Sequence, residues 1–191
     1  MEINKITQTE WIGEATKYIQ GGLHRIAYVV VDHPVTIVHR KTQVDEEVCE
    51  RLGYEIVESY NNAGTIVSNE GDVLIGHFAQ PDNGWYDRFI QYFIDWLKAK
   101  GLNAEYASND ILVDGNKVCG MCVTRYGRID YTGGIISINT NLDHIKVICK
   151  KPMVKVPKGL SEYGITTEEV EQMFLDFCKQ DNEKTYYKKR G

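Results

Sequence analysis

Long hydrophobic runs are missing from this sequence: none approaches the roughly 18 to 20 apolar residues of a membrane-spanning helix. The first residues, MEINKITQTEWIGEATKYIQ, lack the basic flank and apolar stretch of a signal peptide. Excess positive charge is missing too. Twenty-two Lys and Arg against 27 Asp and Glu leave a formal charge of -5, which argues against a general affinity for nucleic acid or an anionic membrane surface. Any anionic ligand must therefore be held by a local group. Cysteine amounts to five residues without a framework spacing, an odd number that suits reduced thiols in the cytoplasm better than disulfides. Repeats, low-complexity tracts and linkers are also lacking. The 191 residues read as one domain over 1–180 followed by a polar tail, 181–191, and they can bury a core without staples.

Among the cysteines only Cys119 and Cys122, in CGMC, form a motif. A zinc site needs a second ligand pair, and His24, His33, His39, His77 and His144 do not supply finger spacing. A redox CxxC opens a helix after a strand, whereas β-forming residues run on both sides of this one. In extended chain, positions three apart face opposite sides, so the two sulfurs diverge. They read as small core residues, and no metal site is assigned.

The hydrophobic patterning predicts an α+β chain with a largely antiparallel sheet flanked by helices. LHRIAYVVV and VTIVHR are rich in β-branched residues and are separated by a DHP turn. TQVDEEVCERLG reads as a helix with Val44, Val48 and Leu52 on one face, acids in the first turn and Gly53 as its stop. YEIVESY, GTIVSN and DVLIGHFA are three short strands. PDNGWYDRFIQYFIDWLKAKG carries a broad apolar stripe, Trp85, Phe89, Ile90, Phe93, Ile94 and Leu97, and is the clearest helix. Strands NAEYAS, DILVD, KVCGMCVTRYG and IISINT follow, the second and third joined by the hairpin signal DGN. Thr166 and Glu169 form a capping box at the start of a final amphipathic helix with Val170, Phe174, Phe177 and Cys178 inside.

Lys117 is the odd choice in this pattern. It opens the strand KVCGMC, two residues after the turn glycine Gly115 and just before an apolar run. An edge lysine that discourages pairing with another chain is one reading. An ammonium held beside a developing phosphate or acyl oxygen is the other.

The order NDILVDGNKVCG, then GGIISINTNLDHI, then YGITTEEVEQMF resembles the catalytic domain of the lipoate and biotin protein ligase superfamily, and is most similar to its lipoate ligase branch. Order and spacing hold over more than half the chain. VTIVHRKTQ is similar to the family's apolar strand ending in Gly-Arg-x-Gln, with Arg40 at the arginine. The resemblance implies that Lys117 is the family's lysine, contacting the acyl carboxyl and the phosphate of an acyl-adenylate. Asn109 and Asp110 would hold adenylate polar groups or a metal-bound phosphate. Asn61, Asn62, Gly64 and Thr65 would line the substrate loop, with Gly120 and Gly134 allowing close approach of the ligand. It further implies ATP or AMP with Mg2+, lipoate or octanoate as substrate, a lipoyl-carrier domain as acceptor, and possible help from a separate accessory subunit. A fixed charge suits this chemistry, since attack on the mixed anhydride builds negative charge on the carbonyl oxygen and expels AMP.

The sequence departs from the family at three places. The arginine and glycine run of the substrate loop is replaced by Glu58, Ser59, Tyr60, Asn61, Asn62, Ala63 and Gly64, where an ordinary turn competes with a ligand cradle. The His-Gly pair appears as Thr132, Gly133 and Gly134, and the His-Asp after the loop as Ser68 and Asn69. Three functions remain open: acyl transfer from an adenylate to a carrier lysine, thioester-dependent transfer through Cys149 or Cys119, and non-catalytic binding of a ligand or partner. Cys149 also reads as packing on an apolar strand. His77 and His144 are assigned no role, and Arg125 and Arg128 read as solvated turn residues that could meet an acidic carrier domain.

Overall fold

Val73–Ala79 is buried at all seven of its positions, which requires a strand covered by packed layers on both faces. The computed structural model describes residues 2–11, 25–58, 64–79, 84–126 and 129–188. In chain order these form β1 (Glu2–Lys5), β2 (Arg25–Val30), β3 (Val35–Val38), α1 (Glu46–Leu52), β4 (Glu55–Glu58), β5 (Ile66–Ser68) and β6 (Val73–Ala79). Then follow α2 (Trp85–Ala99), β7 (Ala104–Ala107), β8 (Asp110–Val113), β9 (Asn116–Tyr126), β10 (Ile129–Ile136), α3 (Leu142–Ile148) and α4 (Thr167–Lys188).

Seven strands form one sheet in the order β1-β2-β6-β10-β9-β8-β7, and three form another in the order β4-β3-β5. The large sheet is antiparallel except for the parallel β1/β2 edge pair. The small one pairs β3 with β4 in parallel, α1 supplying the crossover that such pairing needs. The two strands flanking the DHP turn, β2 and β3, therefore separate into different sheets.

The apolar stripe of α2 packs with Phe174 and Phe177 of α4 against one face of the large sheet. Trp85, Phe89 and Phe177 sit with ring centroids 5.2 to 5.4 Å apart, and His77 stacks on Trp85 at 4.7 Å. The other face meets the small sheet through Val29, Val31, Leu74 and Ile135 against Val35 and Val57. Beyond the small sheet, Val38, Val44, Cys49, Tyr54 and Ile148 form an outer core with α1 and α3. The layers are thus helices, large sheet, small sheet, helices, with room for a cleft between the sheets.

Local signals held where the chemistry was specific. Asp45 caps α1 by accepting from the Val48 amide at 3.1 Å, and Gly53 ends it with φ 77°. Thr166 and Glu169 make the reciprocal bonds of a capping box, 2.9 and 3.3 Å. The sequence reading assigned no element before β2, yet Glu2–Lys5 pairs with it as β1, and three further elements differ. β10 starts at Ile129 rather than near Ile135, because its pairing with β6 and β9 carries Thr132, Gly133 and Gly134 into the sheet. Cys149 does not lie on a strand: Asn141 caps a short helix, α3, and Cys149 follows its last residue. The final helix runs on to Lys188, held near its middle by Arg88, whose Nε lies 2.5 Å from Asp181 Oδ1. No helix among the described residues is long and apolar enough to cross a membrane.

Candidate active site

Two tight hairpins in succession build the site. Ser108 and Asn109 have φ of 52° and 68°, and Asp114 and Gly115 have 50° and 78°. Both central positions are left-handed in each, the pattern of primed hairpin turns that match strand twist. Between these turns, β8 pairs with β9 through a bulge: Ile111 faces Cys119 but Leu112 faces Lys117. The extra residue is Val118, buried with Cys119 in the helix-covered core.

This bulge answers the question posed by Lys117. In a regular strand Lys117 and Gly120 would face opposite sides; one added residue restores them to the same side. Val118 and Cys119 go to the core, and Lys117 turns into the cleft. Its backbone is fixed as well, since the Lys117 amide donates to Val156 O and its carbonyl accepts from the Lys158 amide, both at 2.9 Å.

Lys117 Nζ lies 2.8 Å from Asp110 Oδ1, and Lys155 Nζ lies 2.8 Å from Asp110 Oδ2. Lys155 also donates to the carbonyl of Ala107. One carboxylate thus lies between two ammonium groups, all three at least partly shielded from solvent. Two cavities meet there. The first, about 380 Å³, is walled by Trp11, Leu74, Met121, Cys122, Tyr131 and Ile135, with Gly64, Thr65 and Asn109 also on its lining. The second, about 390 Å³, is bordered by Ser108, Ser137, Ile145, Cys149, Met153 and Lys155. Lys117 and Asp110 border both.

The glycines make the first cavity possible. A β-carbon on Gly134 would stand 2.2 Å from Met121 Sδ, and one on Gly133 would meet the Tyr131 hydroxyl at 2.2 Å. Gly76, paired with Gly133 across β6 and β10, lies beneath Trp11, whose ring would be 2.7 Å from a β-carbon there. Trp11 is set by a capping box in which the Thr7 amide donates to Glu10 at 2.7 Å and the Glu10 amide donates to Thr7 Oγ1 at 3.2 Å. The T-x-x-E signature of TQTE was the missed signal for this wall. Tyr131 and Lys155 carried no local signal.

Of the residues singled out from the sequence, Lys117, Asp110, Asn109, Gly64, Thr65, Gly120 and Gly134 come together on the cleft. Asn61 and Asn62 lie outside the described residues, as does Arg128. Gly120 faces the amine of Lys117. The Asn109 side-chain oxygen accepts from Tyr86 at 3.3 Å and Tyr106 at 3.2 Å. Asp110 is less open to a metal than the resemblance implies, since each of its oxygens already holds a lysine, and among the described residues no group of three His, Cys, Asp or Glu side chains could hold an ion.

Ser68 and Asn69 serve the fold. The buried Asp72 accepts from Ser68 Oγ and the Asn69 amide on one oxygen, and from the Ile138 and Asn139 amides on the other. The cysteines diverge as their spacing demands. Cys119 lies in the core, where burial pushes its thiol well above the usual range despite the nearby Lys117. Cys122 faces the cleft. Burial also raises the Cys149 thiol. Arg125 holds Asp130 with two bonds of 2.8 and 3.0 Å.

Residues 9–178 match the family described as lipoyl protein ligase A/B catalytic domain. The chain belongs to that family. Comparison with functionally curated proteins returned no match. Solved structures give the same fold. A T. acidophilum protein with bound lipoic acid is 13% identical, covering 95% of this chain and 86% of its own, with a TM-score of 0.78. A lipoate-protein ligase A bound with ATP is 13% identical over 95% of this chain and 84% of its own, with a TM-score of 0.77. A bi-partite lipoate protein ligase from Thermoplasma acidophilum, studied with its E2 lipoyl domain, is 12% identical over 95% and 82%, TM-score 0.77. At these identities the likeness of this lipoyl ligase-family chain to the three structures is one of fold.

Proposed function

We propose that this chain is a lipoate-protein ligase-like enzyme that passes a lipoyl or octanoyl group from an acyl-adenylate to a lysine of a carrier domain. The observation that carries this reading is the position of Lys117: its amine stands where two cavities meet, the first of them walled in part by Trp11, Leu74, Met121 and Ile135, and is turned there by a bulge. An acyl chain in the first cavity would bring its carboxyl to that amine. ATP, as co-substrate, activates the carboxylate by giving up pyrophosphate and forming the mixed anhydride. Lys117 then neutralises charge on the carbonyl oxygen and phosphate as the acceptor amine attacks and AMP leaves, a contribution of about 3 to 4 kcal/mol for one well-aimed donor in a shielded site. Asp110 holds that amine in place until an anion arrives. Any Mg2+ would enter with the nucleotide phosphates, because the protein offers Asp110 only at the expense of Lys117 or Lys155.

The bi-partite ligase among the structural relatives supports a lipoyl-carrier acceptor and a separate accessory subunit as partners. Free cysteines support a cytoplasmic setting. Thioester transfer is the weaker alternative, since burial disfavours the thiolate at both Cys119 and Cys149.

The test is incubation with ATP, magnesium and lipoate, octanoate or biotin, following adenylate by mass spectrometry. Adenylate made by the wild type and lost in Lys117→Ala is the expected result. Product from an acyl-carrier thioester alone would replace this reading with the transferase; ligand binding without product would leave a non-catalytic binding protein.

A further inference from the structure

Lys117 and Lys155 stand on opposite oxygens of one carboxylate, each at 2.8 Å. Asp110 can neutralise one of them. The group therefore carries one positive charge in excess, in a place where only 15% of the Asp110 side chain and 22% of the Lys155 side chain reach solvent. Charge that is held together and half shielded in this way is costly to the free protein and favourable to an arriving anion.

The two lysines are not equivalent. Lys117 borders both cavities, whereas Lys155 borders only the second. Lys155 is also held in register with the bulged strand. Its segment runs beside Lys117 as an isolated parallel bridge at Pro157, closed by the amide of Lys117 on Val156 O and the amide of Lys158 on Lys117 O. Both cavities have apolar walls, Trp11, Leu74 and Ile135 in the first and Ile66, Ile145 and Met153 in the second, so what separates them is charge: both ammonium groups border the second, beside Ser108 and Ser137, and Lys117 alone borders the first.

We propose that Lys155 is a second anion-binding residue, dedicated to the phosphate side of the site, and that it gives the two-part cleft its direction: acyl chain in the first cavity, nucleotide phosphate in the second, Lys117 shared at the junction. This rests on the ligase reading above. When the phosphate binds, Lys155 exchanges part of its hold on Asp110 for the phosphate oxygens, and Asp110 keeps the two amines from repelling each other apart.

The experiment titrates the full chain separately with ATP and with octanoate by calorimetry, using wild type, Lys155→Met and Lys155→Arg, with melting temperatures recorded alongside. One lost charge-assisted contact corresponds to about a 10- to 100-fold weaker affinity. Lys155→Met is expected to weaken ATP by that factor, to leave octanoate within about twofold, and to be rescued by Lys155→Arg, which keeps the charge. Equal weakening of both ligands, unchanged ATP affinity, or failure of the arginine to rescue would overturn the assignment. Wild-type protein that binds octanoate but not ATP removes this inference and leaves the acyl site standing; binding of neither removes the ligase reading and this inference with it.

Discussion

The side-chain end of Lys117 lies across Gly120: a methyl group placed on that glycine would be 2.8 Å from Nζ and 2.9 Å from Cε. The glycine in KVCG is therefore matched to its own lysine. The empty side of Gly120 is where the ammonium lies on its way to Asp110, and the bulge at Val118 is what puts both residues on one face.

Gly120→Ala tests that relationship. The added methyl meets the far end of a flexible side chain and not backbone, so the fold should tolerate it within about 1 kcal/mol. The lysine must move, however, and a displacement of about 1 Å is expected to lower acyl-adenylate formation about 100-fold. Unfolding curves and adenylation assays on one preparation separate the two effects. Full activity would show that Lys117 works from another position.

The sequence made the fold legible where one residue type has one physical job. The DGN turn, the Thr166 cap, the acids in the first turn of α1, Gly53 and the aromatic stripe of α2 each appear where their chemistry places them. Lys117 and Asp110 were visible through their motif, but the bulge that aims the lysine was not, since Val118 looks like any strand residue. Lys155 was hidden for another reason. It comes from KKPMVKVPK, a stretch bounded by Pro152 and Pro157 and too short to show a helix or strand period, and only the pairing of residues 156–158 with Lys117 brings it in. The short helix α3 was read through as strand because Ile145, Val147 and Ile148 are β-branched, and tertiary burial outweighed that preference.

Asp72 is predicted to be the most sensitive polar residue of the scaffold. It is 1% exposed and ties the β5–β6 turn to the end of β10 with four accepted bonds of 2.6 to 3.1 Å. In Asp72→Asn, an amide NH2 must face donors that it cannot accept from. The expected cost is about 2 to 3 kcal/mol, the penalty for unmatched buried donors. Urea unfolding checks this, and a change below about 0.5 kcal/mol would mean that the turn rearranges freely.

Thiol reactivity should follow the two faces of β9. Cys119 is buried and its thiol is pushed up by desolvation, so native protein at pH 8 should leave it unmodified by iodoacetamide. Cys122 borders the cleft and should react first, more slowly once octanoate is bound. Cys149→Ala is expected to keep adenylation within about twofold. Loss of transfer in that variant would instead favour a thioester route, because only that route uses the thiolate.

His33 is predicted to make stability depend on pH above 6.5. Its Nε2 lies 2.8 Å from Glu55 and its Nδ1 2.5 Å from Asp32. The bond to Glu55, followed by that to Asp32, raises its pKa above 6.5 against the opposing effect of burial. The folded chain therefore keeps a proton that the unfolded chain has already released. Stability from this group is fully present below pH 6.5 and is lost as pH rises through the raised folded pKa. The side chain is 47% exposed, so solvent screening limits the effect to about 1 kcal/mol or less. Proton NMR should place the His33 titration above 6.5. Glu55→Gln should lower it more than Asp32→Asn, and should flatten the pH dependence of the urea midpoint. An unshifted wild-type histidine would mean that the β2–β3 turn does not hold Glu55 in solution.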